Sequence, residues 1–325
     1  MTIQDAKLYG KQNLPSSPTP VLDTEVLLQH ITGFDKTHLL LNRDFELTAE
    51  QESLFKKAIG KRKTGFPVAY ITGHKEFFGL DFYVTPDVLI PKPDTELLVE
   101  LALDALEDKF RTYEDGQNQY GNFIPTICDM CTGSGCVGLS IAKTLPDKQF
   151  SISLVDISEK ALEVAKMNAK NLFAKKNPPH ELAKNSDYGK NDTNPNFSRL
   201  TLNFIRSNLF ENIPHSFDLI VTNPPYVPHK ESLELLRDGR REPLLALDGD
   251  VSETGDFSNT NDGLALIRRL VPQCYEHLNR NGVLIMETGE YNAEETAELF
   301  TQAGFRSVKI EYDMNEMMRD VMGVK

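Results

Sequence analysis

The chain has 325 residues, 40% of them hydrophobic, and its 48 acidic against 35 basic side chains give a formal net charge of −13. That length supports one large core plus a smaller domain. The acidic balance argues against duplex DNA or long RNA as substrate, because neutralisation of phosphates by Lys and Arg supplies most of such affinity. No stretch is apolar for long enough to span a membrane. The first residues, Met1-Thr2-Ile3-Gln4-Asp5-Ala6-Lys7, lack a signal-peptide profile, so a cytoplasmic protein is expected.

Residues 1–65 read as a small helical domain. Asp23 to Ile31 has helical apolar spacing and stops at Gly33, and Thr48 caps a second helix that runs to the basic cluster Lys61-Arg62-Lys63. That cluster suits the negative end of the helix dipole; contact with an acidic or RNA-bound partner is the less favoured reading. Residues 66–90 change period, and Phe77-Phe78-Gly79-Leu80-Asp81-Phe82-Tyr83-Val84 predicts a hairpin linker. In Ile90-Pro91-Lys92-Pro93-Asp94-Thr95-Glu96 each proline holds its predecessor extended, and Asp94 or Thr95 is placed to cap a helix from Glu96.

The remainder, 91–325, alternates. Strands are expected near 124–129, 151–156, 201–206, 217–222, 283–288 and 306–312, with helices over 137–144, 158–173, 262–280 (kinked at Pro272) and 293–303. This alternation predicts a parallel sheet covered by helices, an α/β fold. Two polar insertions, 110–122 and 174–199, interrupt it; the second should be disordered.

The segment Ile127-Cys128-Asp129-Met130-Cys131-Thr132-Gly133-Ser134-Gly135-Cys136-Val137-Gly138 is a strand, a glycine turn and a helix start, and Asp156 closes the next strand. An acid there can take both hydroxyls of a ribose. Gly133-x-Gly135-x-x-Gly138 matches a dinucleotide fingerprint, so both an NAD enzyme and an S-adenosylmethionine (SAM) enzyme fit. Asp129 favours SAM: a carboxylate repels a pyrophosphate but suits a sulfonium with an ammonium group. Cys128 and Cys131 have C-x-x-C spacing, but no second pair or histidine pair is in register, so small buried cysteines are preferred over a redox or metal site, and no metal is expected.

The strand Phe217-Asp218-Leu219-Ile220-Val221-Thr222 runs into Asn223-Pro224-Pro225-Tyr226. Two prolines end the strand in a stiff turn. The Asn223 side-chain oxygen and the Pro224 carbonyl are acceptors that suit the two hydrogens of an NH₂ group, and Tyr226 offers a flat ring. Such a turn can hold a weakly nucleophilic amide or amino nitrogen and aim its lone pair at an electrophile, which is catalysis by positioning. Hydride transfer has no use for it. Asn177-Pro178-Pro179-His180 lacks both the aromatic and the preceding strand and reads as loop.

Together these elements resemble one family, the SAM-dependent N5-glutamine methyltransferases of peptide chain release factors (the HemK/PrmC type). The resemblance spans Gly65-Phe66-Pro67-Val68-Ala69-Tyr70-Ile71-Thr72-Gly73, Glu76-Phe77-Phe78-Gly79, Leu89-Ile90-Pro91-Lys92-Pro93-Asp94-Thr95-Glu96, the glycine turn, Val155-Asp156, Ser207-Asn208-Leu209-Phe210, Asn223-Pro224-Pro225-Tyr226-Val227 and Arg241-Glu242-Pro243-Leu244-Leu245-Ala246-Leu247. It implies a five-helix-like N-terminal substrate domain, a hairpin linker and a Rossmann-like, seven-stranded class I methyltransferase domain. It implies methylation of the glutamine in the Gly-Gly-Gln loop of class 1 release factors. By position, Asp129, Cys131, Thr132, Gly133, Ser134 and Gly135 would line the methionine part of SAM. Asp156 would take the ribose, with Asn208 and Leu209 beside the adenine. Asn223, Pro224 and Pro225 would hold the glutamine amide while Tyr226 packs on it. Lys92 stands where the family usually has arginine, and Cys131 where it has the first glycine. We expect a monomer acting on a protein substrate. An adenine-N6 or RNA amino methyltransferase is the alternative within the class; an NAD-dependent oxidoreductase and a non-catalytic SAM-binding protein lie outside it.

Overall fold

The computed structural model describes residues 1–114, 124–174, 200–237, 239, 241–250 and 260–325. Most of the two expected insertions, with Asn177-Pro178-Pro179-His180, lies outside the described residues.

Five helices form the N-terminal unit: α1 (Ile3–Asn13), α2 (Pro20–Thr32), α3 (Lys36–Leu41), α4 (Ala49–Lys63) and α5 (Val68–Thr72). Thr2 with Asp5 and Thr48 with Gln51 form reciprocal capping boxes that satisfy the first turns of α1 and α4. Ile3, Ala6, Leu27, Leu28, Phe55 and Ile59 meet in one buried core. The basic cluster does end α4, but Arg62 turns inward: its Nε lies 2.6 Å from Asp23 Oδ2, and one terminal nitrogen reaches the Gly65 carbonyl at 3.3 Å. Residue spacing located only α2 and α4, while the resemblance implied five helices. The other three are short, and α1 shows few apolar residues because it approaches α2 through Gly10, where a Cβ would lie 2.3 Å from Thr24 Oγ1.

The predicted hairpin is present as β1 (His74–Phe77) and β2 (Leu80–Tyr83). Its Phe77 and Phe82 are buried in the core of the following domain. Helix α5 faces two ways: Val68 and Ile71 pack on the helical core, while the Tyr70 hydroxyl donates to the Val88 carbonyl at 2.6 Å. Asn168, fully buried, ties the hairpin down. It accepts from Tyr83 N at 2.7 Å and donates to the carbonyls of Tyr83 (3.0 Å) and Ser134 (2.9 Å).

The main domain begins with α6 (Glu96–Glu114) and continues through β3 (Thr126–Met130), α7 (Cys136–Thr144), β4 (Phe150–Asp156), α8 (Glu159–Phe173), β5 (Leu200–Arg206) and β6 (Phe217–Thr222). Then come α9 (His229–Arg237), α10 (Ala265–His277), β7 (Leu278–Glu287), α11 (Ala293–Ala303), β8 (Arg306–Tyr312) and β9 (Met318–Val324). The seven strands lie in the order β5-β4-β3-β6-β7-β9-β8, parallel except where β9 pairs antiparallel with β7 and β8. Apolar clusters on both faces bury it under helices, and every residue of β6 is buried. That two-sided burial is why parallel strands read as unbroken apolar runs.

Several expected boundaries move. Helix α10 passes Pro272 without interruption but stops at His277, because Leu278 already pairs with Phe217 and β7 starts five residues early. The seventh strand implied by the resemblance is β9, which residue spacing did not locate; it carries Arg319 and Asp320, and Asp320 is fully buried between β7 and β8. Helix α9 was missed as well.

Strand order reverses at β3: β4 and β5 extend to one side, β6 and β7 to the other. Crossovers diverge at such a point and leave a crevice at the carboxyl ends of the strands, where ligands of open α/β sheets bind. The residues leaving those two strand ends are the glycine turn and Asn223-Pro224-Pro225-Tyr226.

Candidate active site

Met130 on β3 pairs with Thr222 on β6, so Cys131 and Asn223 step off neighbouring strands at the same level. Between them opens a cleft with about 170 Å³ of water-accessible space. Asp129, Cys131, Thr132, Gly133, Ser134, Asp156, Asn208, Leu209, Asn223 and Pro225 all line it. Gly135, Pro224 and Tyr226 do not. Gly135 lies behind the turn as the N-cap of α7, at φ 79°, where a Cβ would come within 3.0–3.2 Å of Leu139, Ala165 and Leu154. It allows helix, strand and turn to pack closely rather than lining the cleft.

The two acids brace the turn. Asp129 Oδ2 accepts from Thr132 Oγ1 at 2.6 Å and from Gly138 N at 2.9 Å. Burial nevertheless lifts its carboxyl to about 6, against these two hydrogen bonds. Asp156 accepts from Gly133 N at 2.9 Å and from Ser158 N at 2.8 Å, and burial raises it too. Cys131 adopts a left-handed backbone, φ 60°, which explains why glycine is favoured at that position of the turn. Burial pushes the thiols of Cys128 and Cys131 well up and Cys136 to about 12, so none is poised as a thiolate. Among the described residues no group of three or more His, Cys, Asp or Glu is arranged to hold a metal ion.

Asn223 is held by a residue assigned a different task from sequence. Thr95 does not cap α6. It sits in a short 3₁₀ turn, Pro93–Thr95, which hands over to Glu96, and its hydroxyl accepts from Asn223 Nδ2 at 3.1 Å. With Nδ2 occupied, Oδ1 is the acceptor left to a ligand. The Tyr226 hydroxyl donates to Glu287 Oε1 at 3.2 Å, while Glu287 Oε2 is buried without a hydrogen-bond partner among the described residues. Glu287 is buried, and desolvation lifts it to about 7 despite the hydroxyls of Thr95 and Tyr226 and nearby Arg319. The Tyr226 ring packs on the core beneath β6 and β7, one step back from the position expected of a ring that projects from the turn.

The corner is fixed from behind. The Tyr226 carbonyl accepts from Asn292 Nδ2 at 3.1 Å and from the Tyr291 hydroxyl at 3.3 Å. Gly263, at φ 76°, lies so close that a Cβ would be 2.0 Å from that carbonyl oxygen, and its N–H donates to Asp250 at 3.0 Å. Both obstacles are backbone or buried. Gly263→Ala is therefore expected to cost about 2 kcal/mol, read as a lower urea midpoint with an unchanged slope.

Lys92 lines the mouth of the cleft, its Nζ 2.7 Å from the buried Glu242, so the lysine keeps the charge of the expected arginine and pairs through a single point. Leu245, Leu266 and Arg269 also line it and were not predicted. Leu245 belongs to the Arg241-to-Leu247 motif, whereas Leu266 and Arg269 lie on α10, whose helical spacing gave no sign of a place in the site.

A model of the PrmC N-terminal domain matches residues 5–73, and a model of the Eco57I restriction-modification methylase matches 151–295. The first match starts inside α1 and ends just after α5, so it takes in nearly all of the five-helix unit. The chain is 33% identical over 322 residues to the release factor glutamine methyltransferase of Burkholderia pseudomallei, covering 98% of this chain and 96% of the relative. It is 32% identical to that of Koribacter versatilis (100% and 99%) and 31% identical to that of Clostridium acetobutylicum (100% and 99%). These matches cover nearly the full length of both chains, and the chain belongs to the family of release factor glutamine methyltransferases.

Proposed function

We propose that the protein transfers a methyl group from SAM to the side-chain nitrogen of the glutamine in the Gly-Gly-Gln motif of class 1 peptide chain release factors. The observation that carries this reading is the Asn223 carboxamide. Its nitrogen is spent on Thr95, and it stands on the strand next to the glycine turn. An acceptor so placed suits a carboxamide NH₂ and opposes a carboxylate.

The cleft fits the cofactor on its own chemistry. Asp156 can accept from vicinal hydroxyls, and two carboxylates, Asp129 and Asp156, favour a cationic sulfonium and ammonium. Val88, Leu89 and Leu209 offer apolar wall to an adenine. Cys131 through Ser134 would hold the methionine part. When bound, SAM supplies an electrophilic methyl group. Asn223 Oδ1 and the Pro224 carbonyl orient the substrate N–H bonds so that the nitrogen lone pair faces the cleft, and the proton leaves after transfer. Orientation of a poor nucleophile lowers the barrier without a strong base. The helical unit, residues 1–65 with the 66–90 linker, is proposed to recognise the release factor, and the enzyme to act as a cytoplasmic monomer.

The Eco57I methylase match keeps an adenine amino group as the second reading, since that acceptor also presents an NH₂. Labelled SAM with a class 1 release factor, duplex DNA and rRNA in parallel separates them. One methyl group, 14 Da or about that by intact mass, is expected on the release factor alone. Label on DNA or rRNA and none on the release factor would overturn the assignment.

A further inference from the structure

The basic cluster that ends α4 divides in the fold. Arg62 turns inward to Asp23, while Lys61 and Lys63 stay exposed on the last turn. The Lys61 Nζ lies 5.9 Å from the centre of the Phe66 ring, which places its charge over the start of the linker. A second basic segment arrives there from far along the chain: residues 237–241 carry three arginines and one aspartate. Gly239 brings them against the end of α4. At φ 87°, it lies so close that a Cβ would be 2.2 Å from the Thr64 carbonyl oxygen and 3.0 Å from Gly65 Cα. Only glycine allows that approach.

Arg237 and Arg241 flank the contact, and both are exposed. Among the described residues, Lys61, Lys63, Arg237 and Arg241 make no ion pair. Other exposed cations of this acid-rich chain do: Lys56 pairs with Glu52, Lys166 with Glu163 and Arg268 with Asp262. The strip also reaches the cleft. Glu242 follows Arg241 directly, turns into the protein and meets Lys92 at the mouth of the cleft, 2.7 Å from its Nζ. One short segment therefore touches the helical unit at Gly239 and the cleft rim at Glu242.

Four unpaired cations within a few residues of these contacts reverse, locally, the sign of a chain whose net charge is −13. We propose that this strip docks an acidic face of the protein substrate and steers it so that its glutamine loop enters the cleft. Nucleic acid fits less well: four cations release too few counterions to hold it against the remaining negative charge. They suffice to speed and orient the encounter with a protein whose loop is gripped elsewhere, because charges at the rim of an interface act mainly on the association rate.

This inference rests on the proposed glutamine methylation, and its test separates the two. Association of a class 1 release factor with enzyme loaded with S-adenosylhomocysteine is followed by stopped flow at about 50 mM and about 500 mM salt, and KM and kcat are measured with SAM. Lys61→Glu with Lys63→Glu, and Arg237→Glu with Arg241→Glu, are each expected to slow association about tenfold at low salt and to raise KM by a similar factor. At high salt the deficit shrinks to about twofold or less, and kcat and SAM affinity are unchanged. The corresponding Gln pairs fall between these and the unaltered enzyme. A low-salt rate within about twofold of the unaltered enzyme for both Glu pairs, or a deficit that ignores salt, overturns the inference while glutamine methylation stands. So does binding of a labelled single-stranded RNA that these variants abolish while release factor association is untouched; the strip would then serve nucleic acid. If the unaltered enzyme does not methylate the release factor, the underlying reading fails first and takes the inference with it. Where a Glu pair does not fold, the Gln pair is judged by the same salt comparison.

Discussion

Asn223→Ala is expected to bind SAM as tightly as the unaltered enzyme and to lose about 10²–10³-fold in kcat, the range seen when one preorganised hydrogen-bonding partner is removed from a reacting centre. The reason is geometric. Asn223 steps off β6 into two prolines, its nitrogen is tied to Thr95, and the following carbonyl of Tyr226 is held by Asn292 and Tyr291. The acceptor is therefore aligned before substrate arrives. Its removal leaves the cofactor walls intact and the substrate nitrogen free to rotate. Calorimetry with SAM and single-turnover methylation of a release factor provide the check. A parallel loss of SAM affinity and turnover would mean that Asn223 holds the cofactor rather than the acceptor.

Asp156→Ala is expected to do the reverse. Two charge-assisted hydrogen bonds to ribose hydroxyls contribute about 3 kcal/mol together, or roughly a hundredfold in Kd for SAM. Turnover at saturating SAM should change by only a few-fold, because Asp156 lies across the cleft from Asn223. Asp156 also accepts from Gly133 N and Ser158 N, so its loss loosens the glycine turn. Asp156→Asn distinguishes the two contributions: it keeps one acceptor for the backbone and loses the charge. Its Kd should fall between the other two. A Kd for Asp156→Ala within threefold of the unaltered enzyme would exclude the ribose role.

The parts of this site that were legible in sequence are those in which one local segment does the work. The glycine turn, Asp156 and Asn223-Pro224-Pro225-Tyr226 each follow an apolar strand, and the chain has no other way to build them. The parts that were not legible depend on pairing between distant segments. Thr95 followed two prolines and preceded a helix, so capping was the local reading; its partner is Asn223, brought to it from the end of β6. Tyr226 looked like a projecting ring because nothing nearby in sequence reveals that Glu287 waits for its hydroxyl. Strand β9 was hidden by Asp320, a buried carboxyl whose burial only its neighbours β7 and β8 can impose. The same holds for α1, whose short apolar face suffices only because Gly10 lets α2 come close.

Because Cys131 and Asn223 leave adjacent parallel strands at paired positions, the reach from the proposed donor cradle to the proposed acceptor corner is measured out by interstrand spacing, about 4.8 Å. No side chain sets that interval, and no loop can stretch it. Segments elsewhere in the chain can lengthen or change composition without detuning the reaction, provided β3 and β6 remain neighbours. The backbone ladder is the gauge of this enzyme, and its side chains only choose what is gripped at either end.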